Sequence, residues 1–274
     1  VVCGNQELFA GQDQGAFGAE ILTRADGFAD FEWDNGVIYG KTAEGYTLLN
    51  VPTDYDQTLV INKGTTAFYK NALRDCQKLY YITIQDDEAL REIGEDCFRG
   101  CAAIDGVSLE DCKNLKTIGD RAFYECSGLV NITLPESLES IGNQAFYNCT
   151  LLEKISAPAV RVIGDQAFYG CGSLMTADLF TAAESLGDGA FYGCTGLSEV
   201  ILPETLSSMG ESCFENCTML KKVVIDGTLA GISRYCFYGC RSLVDITFQD
   251  ISARSSGLRV IGVQAFGNCT SLET

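Results

Sequence analysis

Apolar residues return along this chain with a fixed rhythm. The segment Ile141-Gly-Asn-Gln-Ala145-Phe146-Tyr-Asn-Cys149-Thr-Leu-Leu152 has near copies starting at Ile118, Ile163, Leu186, Met209, Ile232 and Ile261. A weaker copy starts at Ile93, and a degenerate one runs Phe68, Ala72, Leu73, Cys76, Leu79. Nine units thus share the template Ile-Gly-x-x-Ala-Phe-x-x-Cys-x-x-Leu. Successive template cysteines lie 25, 25, 23, 22, 23, 23, 23 and 29 residues apart. A near-constant period in the range of roughly 20–50 residues marks a solenoid, in which each unit buries its apolar face only against its neighbours.

Each unit divides into two halves. The first reads Leu129-x-x-Ile132-x-Leu134-Pro, Leu152-x-x-Ile155-x-Ala157-Pro or Leu197-x-x-Val200-x-Leu202-Pro, with relatives at Leu79, Leu220 and Leu243. Its end alternates as a strand does, one face toward a core, and proline suits the strand's end because it cannot donate to a ladder. The second half predicts a short helical turn. Ile141, Ala145 and Cys149 are spaced i, i+4, i+8 on one helix face, which Phe146 broadens. Asp120, Asn143, Asp165 and Asp188 precede these turns, where a side-chain oxygen can accept free helical N–H groups. Gly100, Asn148, Gly170, Gly193, Asn216, Gly239 and Asn268 come just before the template cysteine and suit a left-handed turn end. The phenylalanines are expected to stack into a spine. At about 4.8 Å per strand the nine units give an array roughly 40–45 Å long.

Upstream the rhythm changes. Asn35-Gly36, inside Trp33–Tyr39 and ahead of Leu48–Pro52, stands between apolar runs and is a hairpin signal, so a small antiparallel meander is expected over residues 28–52. The chain is accordingly divided into an atypical N-terminal region, 1–62, and a repeat array, 63–274, truncated at its C-terminal end. Residues 1–27 fit no template, although Ala16-Phe17 reads as a decayed unit. Val1-Val2 is an unusual natural start and the chain stops mid-unit at Leu272-Glu-Thr274, so a trimmed chain is expected, without whatever export signal or anchor the longer protein has.

Composition narrows the partners. With 46% apolar residues, 20% charged and four prolines the chain can build a continuous core. It has no apolar run of the length needed to span a membrane. A net charge of −18 disfavours nucleic acid and anionic membranes, and keeps a large surface soluble. Nine of the 14 cysteines occupy the same template position, namely Cys76, Cys101, Cys126, Cys149, Cys171, Cys194, Cys217, Cys240 and Cys269. That placement reads as small buried apolar side chains rather than as a disulfide framework. Free thiols and an exported protein are in tension, which an anaerobic habitat would reconcile.

Candidate chemistry is sparse. The chain has no histidine, which removes His-based triads, His metal sites and His general bases. No carboxylates form a recognisable catalytic pair, and no glycine loop cradles phosphate, so no enzyme activity and no cofactor are expected. Cys97, Cys213 and Cys236 replace the template alanine. Cys213, Cys217, Cys236 and Cys240 could converge as in a structural zinc site, but a swap of one small buried residue for another explains the pattern, and no metal is expected. Tyr124, Tyr147, Tyr169, Tyr192 and Tyr238 follow the template phenylalanine, with Glu215 interrupting. They read as half-buried packing beside the spine, or as an aromatic strip for protein or glycan. The better candidate is the exposed strand face. Its ligand-binding positions are Tyr81, Asn131, Thr133, Lys154, Thr176, Asp178, Glu199, Ile201, Lys222 and Asp245, with Thr83, Ser156, Val224 and Thr247 among them.

The template closely resembles the BspA-like, or Treponema-type, leucine-rich repeats. Residues 129–149 match that family's Leu-x-x-Ile-x-Leu-Pro strand and its Leu-x-x-Ile-Gly-x-x-Ala-Phe-x-x-Cys continuation nearly position for position. The resemblance is strong over about 63–274, and Trp33–Tyr39 looks like an insertion common in the family. It implies an α/β fold, a right-handed leucine-rich-repeat solenoid with parallel strands on the concave side and short helical turns on the convex side. It also implies a secreted or cell-surface protein that adheres, without catalysis, to a host or microbial surface protein, with glycan as a further ligand class. The alternatives are a spacer that displays another domain and a carbohydrate-binding module of a larger enzyme. Ser233 in place of glycine, Met209 in place of isoleucine, and the longer spacing through Ile251–Leu258 depart from the pattern and mark that end as a candidate for specific function.

Overall fold

The structure, a computed structural model, describes residues 8–10, 20–22, 27–56, 58–61, 64–85, 88–178, 181–226, 229–249 and 258–273. Ala16-Phe17 and most of the Ile251–Leu258 insertion lie outside the described residues. Strands β1 (Leu8–Ala10) and β2 (Glu20–Leu22) form an antiparallel pair. An antiparallel meander follows, of β3 (Asp30–Asp34), β4 (Val37–Lys41) and β5 (Tyr46–Asn50). Asn35 and Gly36 join β3 to β4 with φ of 49° and 84°, the two positive values a two-residue hairpin turn requires.

From there the chain winds in coils, each contributing one strand to either of two parallel ladders. The even-numbered strands are, except β10, three to five residues long: β6 (Leu59–Ile61), β8 (Tyr81–Ile84), β10 (Gly106–Val107), β12 (Asn131–Thr133), β14 (Lys154–Ser156), β16 (Thr176–Asp178), β18 (Glu199–Leu202), β20 (Lys222–Asp226) and β22 (Asp245–Gln249). The odd-numbered strands are mostly two residues: β7 (Thr65–Phe68), β9 (Glu92–Ile93), β11 (Thr117–Ile118), β13 (Ser140–Ile141), β15 (Val162–Ile163), β17 (Ser185–Leu186), β19 (Ser208–Met209), β21 (Gly231–Ile232) and β23 (Val260–Ile261). The odd ladder is continuous from β19 back through β7 to the meander, a sheet of 10 strands, because β5 pairs parallel with β7. The even ladder comes in three groups, β6-β8-β10, β12-β14-β16 and β18-β20-β22, the first two joined by a Ser108–Thr133 bridge.

The expected helical turns are absent: no helix occurs among the described residues. Ile141, placed by its spacing on a helix face, belongs to β13. The Ala-Phe-x-x-Cys segment is instead a run of turns whose N–H groups alternate in direction. Those of Ala145, Tyr147 and Cys149 close local turns onto Gly142, Gln144 and Phe146 at 3.4, 3.1 and 3.2 Å. Those of Gln144, Phe146 and Asn148 reach the next coil, donating to the carbonyls of Asp165, Ala167 and Tyr169 at 2.8, 2.7 and 2.8 Å. Left-handed backbone at Gln144 and Asn148, both with φ of 55°, breaks the helical run and turns alternate amides outward. The segment is therefore a third inter-coil ladder, which satisfies amides that a short isolated helix would leave unpaired.

The Asp and Asn residues before the turns also act between coils rather than as helix caps. Asp120 Oδ1 accepts the N–H of Asn143 at 2.7 Å, Asn143 Oδ1 that of Asp165 at 2.8 Å, Asp165 Oδ1 that of Asp188 at 2.9 Å, and Asp188 Oδ1 that of Glu211 at 2.7 Å. Close approach explains the adjoining glycine. A Cβ at Gly142 would lie 2.7 Å from the Asp120 nitrogen. Ser233, which takes the glycine's place four coils later, turns its hydroxyl to the Met209 carbonyl.

The main hydrophobic core runs from Val37 to Ala265, and Phe28, Phe31 and Leu49 make a smaller cluster in the meander. Its spine is the column Phe98, Phe123, Phe146, Phe168, Phe191, Phe214, Phe237, Phe266, with neighbouring ring centroids 4.6–5.4 Å apart and planes within 13°. Beside it stand the template cysteines, all free and all buried except the half-buried Cys269.

Candidate binding face

The even strands hold their core residues inward and expose two rows outward, because side chains alternate along a strand and parallel register puts equivalent positions side by side. In the first row Tyr81 stands opposite Gly106, then come Asn131, Lys154 and Thr176, and then Glu199, Lys222 and Asp245. In the second, Val60 stands opposite Thr83, Ser108, Thr133, Ser156 and Asp178 follow, and Ile201, Val224 and Thr247 complete it. Between the rows Ile82, Ile132, Ile155, Val200 and Val223 are buried.

Tyr81, Asn131, Thr133, Lys154, Thr176, Glu199 and Asp245 are exposed, and Lys222 and Ser156 half-buried. Asp178 is placed by register alone, opposite Ser156. Ile201 is 56% exposed. Val224 corrects the expectation: although it stands between Ile201 and Thr247 in the outward row, it is only 3% exposed and belongs to the buried set. Charges on the face are mixed. Lys222 Nζ meets Glu199 Oε1 at 2.8 Å, and this hydrogen bond pushes the Lys222 ammonium above its ordinary range. Such a surface can hydrogen-bond and pair ions along its length, but it carries no single-sign patch.

A cavity of about 570 Å³ opens at the ends of β12 and β14. Thr133 and Ser156 form its strand side, Leu134, Pro135 and Pro158 its apolar part, and Glu110, Lys113 and Glu136 its charged rim. The loops after the strands shorten coil by coil and leave a step. Five residues separate Leu109 from Leu115, three separate Leu134 from Leu138, and two separate Ala157 from Val160. Ser137 ties the middle loop down, its Oγ donating to the carbonyls of Cys112 at 3.2 Å and Leu115 at 2.8 Å. The sequence reading missed this cavity, and the graded loop lengths were its only signal.

The tyrosine strip is a second stack. Tyr124, Tyr147, Tyr169 and Tyr192 are half-buried, with centroids 4.6–4.8 Å apart and planes within 5°, and the Arg99 guanidinium lies 4.6 Å from the Tyr124 centroid. The ring faces thus cover one another, and mainly edges reach solvent. Burial pushes the Tyr124 and Tyr169 hydroxyls above their ordinary range. Beyond the interruption at Glu215, Tyr238 accepts a hydrogen bond from Asn268 Nδ2 at 2.7 Å.

Among the described residues, the cysteines that suggested convergence included, no group of three or more His, Cys, Asp or Glu side chains is arranged to hold a metal ion. Burial raises the thiol pKa at Cys213, Cys217 and Cys236, and pushes Cys171 up to about 12, so these thiols stay protonated and are poor nucleophiles. Among the described residues no helix is long and apolar enough to cross a membrane.

No curated protein matches the chain. Among solved structures, a leucine rich repeat protein of Treponema pallidum is 21% identical, covering 92% of this chain and 90% of its own, with a TM-score of 0.49. A leucine-rich repeat protein from Bacteroides ovatus is 26% identical over 89% of this chain and 81% of its own, with a TM-score of 0.47. A leucine rich cell surface protein from Faecalibacterium prausnitzii is 19% identical over 89% of this chain and 93% of its own, with a TM-score of 0.40. The model of the BspA type leucine rich repeat region matches in 6 copies across residues 56–175 and 161–274. With that pattern laid over stacked parallel coils, the chain belongs to the BspA type leucine-rich repeat family.

Proposed function

We propose that this chain is a non-catalytic binding protein of the cell surface or exterior, and that its exposed even-strand rows, on the concave side of a right-handed solenoid, engage a host or microbial surface protein. The observation that carries the reading is the division of labour within the repeat. The template residues are buried, whereas Tyr81, Asn131, Thr133, Lys154, Thr176, Glu199, Ile201 and Asp245 stand outward in register and vary in chemistry from coil to coil. A solenoid presents such an extended surface to a macromolecule rather than a closed pocket to a metabolite. Exposed Ile201 beside the Glu199–Lys222 pair supplies an apolar contact with a polar surround, the mixture found at protein interfaces.

The test is a binding screen of the purified chain against matrix proteins, plasma proteins and intact bacterial surfaces. A partner should be captured, and Ile201→Asp together with Tyr81→Ala should weaken capture at least about tenfold, the size of an interface hot spot, with an unchanged thermal melt. Capture that survives these substitutions, or no capture across the panel, overturns the reading.

A further inference from the structure

The cavity at the ends of β12 and β14 has the chemistry of a sugar subsite. Neither Glu110 nor Glu136 has an ion-pair partner among the described residues, whereas Lys113 on the same rim is held by Glu88 at 3.4 Å. Thr133 and Ser156 likewise give their hydroxyls to no other described group, and with Thr83 and Ser108 they form a row of hydroxyls leading across the strands to the cavity. Their spacing, about 4.8 Å from strand to strand, is close to the length of one hexose unit. The half-buried Pro158 adds apolar surface, while Leu134 and Pro135 line the cavity from buried positions. A carboxylate accepts two hydrogen bonds from neighbouring hydroxyls, and such charge-assisted bonds are the stronger kind. An apolar ring surface covers the C–H face of a pyranose. The volume, about 570 Å³, falls within the range of small-ligand sites, roughly 300–1,000 Å³.

Charge selects among ligands. Two carboxylates and one ammonium leave the rim at −1, and the chain as a whole is at −18. An acidic glycan is repelled by that balance. A basic side chain is not repelled by that balance, but beyond the rim the row of Thr133, Ser108 and Thr83 offers it hydroxyls and no counter-charge. A chain of uncharged hydroxyls matches both the rim and the row.

We infer that this cavity binds one or two residues of a neutral oligosaccharide, held by Glu110 and Glu136 with the chain of sugars continuing along the Thr133–Ser108–Thr83 row. The inference rests on the outward rows being a binding surface, and it makes their ligand a glycan at this end of the array.

The test is a glycan array carrying neutral and acidic oligosaccharides, read with the intact chain and with Glu110→Gln, Glu136→Gln and the double variant. Neutral hexose glycans should bind, acidic ones should not, and the double variant should lose at least about tenfold in affinity with an unchanged melt. In amide spectra of the labelled chain, the bound neutral trisaccharide should shift Thr133, Glu136 and Ser156. No neutral glycan bound, acidic glycans preferred, or binding indifferent to the double variant overturns the proposal, as does a basic peptide, Ac-Gly-Arg-Gly-NH2, that alone shifts these amides. A protein partner captured through Ile201 and Tyr81 but indifferent to the glutamine variants would sink this subsite and leave the broader reading standing. A sugar bound at the cavity with no protein captured would do the reverse.

Discussion

Cys149 Sγ lies 3.1 Å from the backbone carbonyl oxygen of Phe123, one coil upstream, and donates its hydrogen to it. The relationship recurs: Cys126 donates to Phe98 at 3.0 Å, Cys171 to Phe146 at 3.1 Å, Cys194 to Phe168, Cys217 to Phe191 and Cys240 to Phe214 at 3.2 Å. The Phe123 carbonyl already accepts the Cys126 N–H at 3.2 Å, so the thiol fills its second lone pair. Cysteine recurs here because it is both a small apolar filler and a weak donor. The two roles separate by substitution. Cys149→Ala removes donor and volume and is expected to cost about 1–3 kcal/mol, the range for an unfilled site with an unmade bond. Cys149→Ser keeps a donor and should be less destabilising than alanine. A urea titration in which serine proves worse than alanine would show that only the apolar volume matters.

Burial of the thiols sets a pH dependence. An unfolded cysteine ionises near pH 8.5. In the folded chain burial raises Cys126, Cys149, Cys194 and Cys217, and pushes Cys171 up to about 12. A folded pKa above the unfolded one means that the unfolded state releases protons first as pH rises. The contribution is therefore complete below about pH 8.5 and declines from there toward the folded pKa, at about 1.4 kcal/mol per pH unit for each such thiol. Denaturant titrations at pH 7.5, 9 and 10 should show stability falling steeply across the upper interval. Replacing Cys149 and Cys171 by alanine should flatten that slope while lowering the value at pH 7.5. A flat profile in the unsubstituted chain would mean that the thiols ionise without unfolding.

Much of this architecture was legible from spacing, and the failure at the helical turns has a physical cause. An i, i+4, i+8 pattern shows that Ile141, Ala145 and Cys149 share an interior, and all three are buried. It does not say whether the amides close on their own segment or on the next coil. The left-handed residues decide that. One of the two was marked by Gly or Asn in most coils, as at Asn148, Gly170 and Asn216, although Asp75 and Glu125 take that place in two; the other falls on Arg121, Gln144, Gln166, Ser212 and Tyr235, with φ of 53–55°, where no residue type announces it. Asp120 was correctly seen as an amide acceptor and assigned to the wrong amide, because the N–H it takes belongs to the following coil. On the outward rows the repeat imposes no residue type, so the pattern located Tyr81 and Asn131 but gave no sign that Val224 is covered or that the loops after Leu134 and Ala157 leave a cavity.

The phenylalanine spine should behave as a one-dimensional stack. Phe168 is fully buried, with Phe146 at 5.2 Å on one side and Phe191 at 5.0 Å on the other. Phe168→Ala is expected to cost about 3–5 kcal/mol, the range for truncating a buried aromatic. Phe266 has its stacked neighbour, Phe237 at 5.4 Å, on one side and is half-buried, so Phe266→Ala should cost distinctly less. Because each coil rests on its neighbours, the mid-array variant should also broaden the thermal transition as the two flanking segments uncouple. Equal losses at both positions, or none at Phe168, would mean that the spine does not transmit cooperativity.

Charge on the outward rows should matter to association and hardly at all to folding. The Glu199–Lys222 pair is nearly half exposed on both sides, 46% and 44%, and Asp245 follows in the same row. Exposed pairs contribute at most about 1 kcal/mol, and Lys222→Glu replaces an attraction by repulsion of similar size, so the melting midpoint should move by only a few degrees. The same substitution turns three neighbouring positions of one row acidic, which changes the local potential felt by an approaching partner. If the row forms part of the binding surface, Lys222→Glu should alter the association rate with a captured partner several-fold at low salt, and the effect should fade as ionic strength rises through physiological values, where charges beyond about 8 Å are screened. Stopped-flow or surface-based kinetics at two salt concentrations measures this directly. An association rate indifferent to Lys222→Glu at low salt would place the contact elsewhere on the solenoid.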